Sequence, residues 1–181
     1  MIMIRAFIAA IALLICGAAQ AIVIGFGPTS ASGGGPTINF NGLVSPTGII
    51  GDATITVTVN GDLNSSSEYV DVMLDGFSLG RILNNNSGDD AFDFANDEGN
   101  QSRLNLTGTA TISNATMAGL IADGLLDLSF DFSSNVNCCG SVNLLEGSIS
   151  FTEANVPEPT TLALLGLSLF GLGFSRRKRV S

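Results

Sequence analysis

Asp62-Leu63-Asn64-Ser65-Ser66-Ser67-Glu68 sets oxygen-bearing side chains at alternate positions, a pattern from which a flexible loop can gather a hard divalent cation. Asp62, Asn64, Glu68 and, from the segment that follows, Asp71 are the candidate calcium ligands, with Asp52 a further carboxylate nearby in sequence. Two carboxylate pairs, Asp71 with Asp75 and Asp127 with Asp131, have the composition for acid–base work on glycosides. Four residues apart on one strand they stand about 13 Å from each other, whereas the two glycosidase geometries use separations of roughly 5–9.5 Å. They read as solvated positions, and hydrolysis would require carboxylates from different strands to meet in a groove. The adjacent pair Cys138-Cys139 is the remaining reactive feature, within Asn135-Val136-Asn137-Cys138-Cys139-Gly140.

Absences narrow the chemistry further. The chain has no histidine and no tryptophan, which removes serine and cysteine nucleophile systems built on imidazole, as well as histidine-ligated zinc. It has no Gly-x-Ser-x-Gly elbow, phosphate-binding glycine loop or dinucleotide fingerprint. The 62–68 run alternates like the first half of an EF-hand loop. Ser67 stands where that loop turns on glycine, and Met73 where it uses a bidentate glutamate, so an EF-hand is excluded. No catalytic residue is assigned and the chain is read as a non-enzyme, with calcium as the only candidate cofactor. The cysteine pair has two readings: a vicinal disulfide stiffening a loop, or free or intermolecular thiols.

The elements that carry these residues are strands. Thr54-Ile55-Thr56-Val57-Thr58-Val59 alternates strictly, with Ile55, Val57 and Val59 on one face. Glu68–Asp75 turns Val70, Val72 and Leu74 inward, and Leu126, Leu128, Phe130 and Phe132 form the clearest apolar face, leaving Asp127, Ser129 and Asp131 toward water. Further strands are expected at Phe77–Leu83, Asp90–Phe94, Ser102–Thr111 and Val142–Phe151, with Leu104 and Leu106 on one face of the third. Asn60-Gly61-Asp62, Asn84–Asp89 and Ser133–Gly140 are turn-forming. Met117, Leu120 and Ile121 sit at helical spacing within Asn114–Asp123, and the Gly-, Ser- and Pro-rich Gly25–Pro36 is expected to be an irregular lead-in. Seven to nine short strands punctuated this way predict an all-β fold, an antiparallel β-sandwich of jelly-roll or immunoglobulin-like type.

Both ends of the chain differ from this middle. Residues 1–21 have one early cation, Arg5, then an apolar core, then the small-residue ending Ala19-Gln20-Ala21. That is the layout of a secretory signal helix, cut by signal peptidase after Ala21. Lipidation at Cys16 is disfavoured by the bulky Ile15 before it. At the other end Val156-Pro157-Glu158-Pro159 precedes an uncharged apolar run, Thr160–Ser175, and then Arg176, Arg177, Lys178 and Arg179. The prolines hold the box extended. As a helix, the apolar run rises about 24 Å against a hydrocarbon core of about 30 Å, a short transmembrane helix. The cations should remain cytoplasmic.

Residues 156–181 resemble the PEP-CTERM sorting signal of Gram-negative bacteria. The resemblance implies an exosortase-type membrane transpeptidase as partner, acting at the Pro-Glu-Pro box. It also implies transient anchoring in the inner membrane, then release or re-anchoring at the cell surface or outside the cell. Gly51–Leu79 is similar to the β-sandwich passengers that accompany such signals. The domains are then 1–21, signal peptide; 22–155, β-sandwich passenger; and 156–181, sorting signal.

Removing the ends leaves Arg81 and Arg103 against fifteen carboxylates, a field that repels phosphate backbones, so nucleic acid is not an expected partner. The expected role is a non-catalytic cell-surface or extracellular-matrix protein associated with exopolysaccharide. The alternative is a carbohydrate-binding module, calcium-assisted or not, with Tyr69 and phenylalanines as its only aromatic platform.

Overall fold

Strict alternation makes Ala53–Gly61 a central strand: Ala53, Ile55, Val57, Val59 and Gly61 are buried, and the threonines between them half-buried. In the computed structural model, which describes residues 21–94 and 104–152, this is β3 of eight strands. The others are β1 (Ala21–Ala31), β2 (Thr37–Val44), β4 (Val70–Leu74), β5 (Phe77–Ile82), β6 (Leu106–Ile112), β7 (Leu125–Phe132) and β8 (Val142–Thr152). A helix, α1 (Asn114–Leu120), and a 3-10 turn (Ile121–Asp123) join β6 to β7. The strands form two antiparallel sheets, in the orders β1-β8-β3-β6 and β2-β7-β4-β5. First pairs with last, second with seventh, third with sixth and fourth with fifth. The chain is thus a long antiparallel ribbon folded over so that its halves alternate between two sheets.

The inward faces of β3, β4 and β7 meet in the core as their alternation predicts: Val70, Val72, Leu74, Leu126, Leu128, Phe130 and Phe132 are all buried. Three rings tie the sheets together. Phe26 of β1 lies 5.0 Å from Phe40 of β2 and 6.0 Å from Phe130 of β7, centroid to centroid. Such pairs add to the burial energy of the rings themselves.

Five expectations are corrected. Gly25–Pro36 is no irregular lead-in: most of it is β1, paired with β8 from Ala21↔Thr152 to Ala31↔Val142, with register shifts around a cis Gly27-Pro28 bond. Pro28 is tolerated there because β1 is an edge strand and a bulge absorbs its missing donor. β2 is an additional strand in a segment without clean alternation. Asp90–Phe94 is a strap, making one bridge to Gly80 of β5 and one to Ala110 of β6. It alternates because Phe92 and Phe94 both turn inward, 5.7 Å apart, Phe94 above Gly108. The Asp93 carboxylate accepts the amide and hydroxyl of Thr109, and the amide bond is the larger cause of its pKa lying below the ordinary range. Finally, Leu104 precedes β6 and is exposed; the inward face of that strand is Gly108, Ala110 and Ile112, with Leu106 half-buried. β3 also runs through Asn60 and Gly61 before the chain turns.

α1 forms where Met117 is buried, and its first turn is capped by Ser113, whose hydroxyl accepts the Thr116 amide. No helix among the described residues is long and apolar enough to cross a membrane. The expected signal helix and the apolar run 160–175 lie outside the described residues.

Candidate functional site

β7 sends Asp127, Ser129 and Asp131 to the outer face of its sheet, and β4 sends Asp71 and Met73 beside them. Register decides which acids meet. Asp71 sits opposite Asp131, and Asp75, on the two-residue turn Asp75-Gly76 after β4, is joined to Asp127. The Asp75 amide donates to the Asp127 carbonyl and the Asp127 amide to Asp75 Oδ1, each at 2.8 Å. Asp75 and Gly76 have φ of 48° and 76°, the conformation a tight hairpin asks of both central residues and one that Asp-Gly supplies. The acids are therefore neighbours across strands, Asp71 beside Asp131 and Asp75 beside Asp127, and not along one strand.

At one end of this face Arg81 Nε and a terminal guanidinium nitrogen donate to the two Asp71 oxygens at 2.9 and 3.0 Å. The guanidinium also lies 3.7 Å above the Tyr69 ring. Arg81 is the one cation among the described residues. Its bond with Asp71 is the main cause that raises its pKa further. Asp131 accepts the Thr37 hydroxyl at 2.7 Å.

The other end is a groove of about 670 Å³, floored by β2, β7 and the β4–β5 turn and walled by α1 and the 3-10 turn. Asn39, Asn41, Asp75, Asp123 and Asp127 supply its polar lining, and Met73 and Leu120 its apolar one. Asp127 Oδ1 accepts the Gly42 amide at 2.7 Å, across a bulge of β2, and Asp123 accepts the Leu125 amide. Desolvation, followed by the charges of Asp127 and Asp123, raises the Asp75 pKa against the lowering effect of the Asp127 amide.

The sign of that shift yields a prediction. A carboxylate whose folded pKa exceeds its unfolded one costs stability as pH rises through the ordinary aspartate range to the folded value, and stays costly above it. Asp75→Asn keeps the acceptor for the Asp127 amide and tolerates positive φ. It should be at least as stable as the parent at pH 7, with the difference shrinking toward pH 4 in paired urea titrations.

The other singled-out residues have protein partners. Asp62 is buried; its Oδ1 accepts the Asn64 side-chain amide, and its Oδ2 the backbone amides of Asn137 and Cys138 at 3.2 and 2.8 Å. Glu68 accepts the Asn64 amide at 2.6 Å, and Asp52 accepts the Asn114 amide at the start of α1. Asp62, Asn64 and Glu68 thus share one loop, while Asp71 is committed to Arg81. Among the described residues no three His, Cys, Asp or Glu side chains are grouped to hold a metal ion. Asp62→Ala would strip two loop amides of their charged acceptor and should cost about 2 kcal/mol, read as a lower urea midpoint. Cys138 and Cys139 are disulfide-bonded in the β7–β8 loop.

The expected cleavage and sorting residues Ala19, Val156, Pro157, Glu158 and Pro159 and the cations Arg176, Arg177, Lys178 and Arg179 lie outside the described residues. Ala21 is described and opens β1, opposite Thr152.

A family model, the PEP-CTERM protein-sorting motif, matches residues 155–178. The curated proteins contain no match to the chain. The motif marks an exported protein processed at the membrane by exosortase, as the carboxyl-terminal residues led one to expect.

Proposed function

We propose that this chain, carrying an exosortase-read sorting motif, delivers a non-catalytic acidic β-sandwich to the cell surface or to the exopolysaccharide around the cell. One observation supports this above others. β8 closes its ladder at Thr152, and the matched motif begins at residue 155, so a cut at the Pro157-Pro159 box leaves every described strand in the product. The lack of histidine and the commitment of Asp62, Asp71 and Asp127 to amides or to Arg81 favour hydration and adhesion over catalysis. The nested strand pairing supports a jelly roll rather than an immunoglobulin-like sandwich.

Intact-mass analysis of native protein from culture medium and from envelope tests this reading. A product beginning near Ile22 and ending at or before the box, in either fraction, is expected; mature material that retains Phe170–Arg179 overturns it.

A second reading is favoured by the groove. Asn39, Asn41 and the carboxylates of Asp75 and Asp127 are donors and acceptors suited to neutral sugar hydroxyls beside an apolar wall. Binding of the 22–155 protein to defined glycans, weakened by Asn41→Ala, would favour a carbohydrate-binding module over a passive matrix component.

A further inference from the structure

The Cys138–Cys139 disulfide joins adjacent residues, both exposed, at the tip of the loop between β7 and β8. The ring it closes contains only those two residues, so it removes little conformational freedom from the unfolded chain and adds little to global stability. The loop is held instead by contacts that involve neither sulfur. On the near side, Val136 is buried, and its carbonyl accepts the Gly35 amide. The buried Asp62 carboxylate then receives the amides of Asn137 and Cys138. On the far side, the Ser141 amide donates to the Cys138 carbonyl at 2.7 Å, its hydroxyl to the Gly33 carbonyl at 2.8 Å, and its own carbonyl accepts the Asp62 amide. Two solvent-exposed cysteines are thus mounted on a frame whose hydrogen bonds use neither sulfur.

We propose that Cys138–Cys139 is a reversible thiol-exchange site for small thiols outside the cytoplasm. A thiolate attacks one cysteine sulfur; a new S–S bond forms to it, the 138–139 bond breaks, and the neighbouring sulfur leaves as a thiolate. That thiolate lies one residue away and either expels the incoming thiol, restoring the ring, or waits while a second thiolate attacks the external sulfur. The second route releases the oxidised small disulfide and leaves two cysteine thiols, so two electrons pass from two external thiols. The frame keeps the two sulfurs neighbours in both states, which makes closure fast and intramolecular. Cys16 is the only other cysteine in the chain and belongs to the expected signal peptide, so shuffling within the mature protein has no third participant.

The test uses the secreted protein as isolated, with glutathione as the thiol probe and maleimide labelling followed by intact mass. Expected results are no label before reduction, two labels after it, a melting midpoint lower by less than about 5 °C, and no label on reduced protein that is returned to glutathione disulfide before maleimide is added. Cys139→Ser should retain one glutathione on Cys138, where the parent retains none at equilibrium. Two labels on the native protein before reduction, labelling that appears only in denaturant, or loss of native circular dichroism on reduction would each overturn the proposal. So would a Cys139→Ser protein that takes up no glutathione.

Discussion

Gly147→Ala is expected to destabilise the sandwich by more than about 3 kcal/mol, a midpoint fall of roughly 12 °C or more for a domain of this size. Gly147 lies in β8 between Phe26 of β1 and Val57 of β3. A methyl group there would overlap the Thr56 carbonyl oxygen and come 2.5 Å from the Phe26 ring. Neither neighbour can give way at low cost. Thr56 belongs to a strand hydrogen-bonded on both sides, to β8 and to β6, and the Phe26 ring is wedged against Phe40 and Phe130. The position therefore serves close approach of a ring to a backbone, a use for which glycine alone fits. Thermal or urea unfolding of the single variant measures the loss. Phe26→Ala, itself costly because the ring is buried against Phe40 and Phe130, should cost less in the Gly147→Ala background than in the parent, because it clears one of the two overlaps. A Gly147→Ala protein with an unchanged midpoint would mean that β8 does not run beneath Phe26.

How much of this was legible in the chain depends on how each strand is buried. β3, β4 and β7 are interior strands of their sheets, so one side of each is uniformly apolar and period two is clear. β1 and β2 are edges, interrupted by Gly27-Pro28 and by the Gly42 bulge, and their half-exposed residues blur the same signal. Asp90–Phe94 shows the converse: Phe92 and Phe94 alternate with acids as a strand's would, yet the segment crosses between sheets, because period two reports which side chains turn inward and not what pairs with the backbone. The outward direction of Asp71, Asp75, Asp127 and Asp131 followed from alternation alone. Their cross-strand partners did not, since register between β4 and β7 is set by turns and contacts more than fifty residues apart. The same holds for Asp62. Its spacing from Asn64 and Glu68 suggested a cation loop, while the amides it holds, of Asn137 and Cys138, are distant in sequence and carry no local signature. The sorting motif was legible because it works as a linear signal, with its box, apolar run and basic cluster contiguous.

Pro157→Ala with Pro159→Ala is expected to reduce release or re-anchoring of the protein by about tenfold or more, since each proline disfavours helix by about 3 kcal/mol relative to alanine. With alanine at both positions nothing in 157–159 would disfavour helix, so the extended conformation expected of the box as a protease substrate would be less accessible. The sandwich itself should be indifferent, because its last ladder partner is Thr152. The measurement is the ratio of full-length to shortened mass in envelope and medium fractions, beside the melting midpoint of the 22–155 protein as the control for folding. Replacing Arg176, Arg177, Lys178 and Arg179 with serine should produce a different failure. The box would stay intact, but the positive-inside bias expected to orient the tail toward the cytoplasm would be lost. If processing followed the basic cluster and ignored the prolines, the box would be only a spacer, and recognition would have to lie in the apolar run or the cations after it.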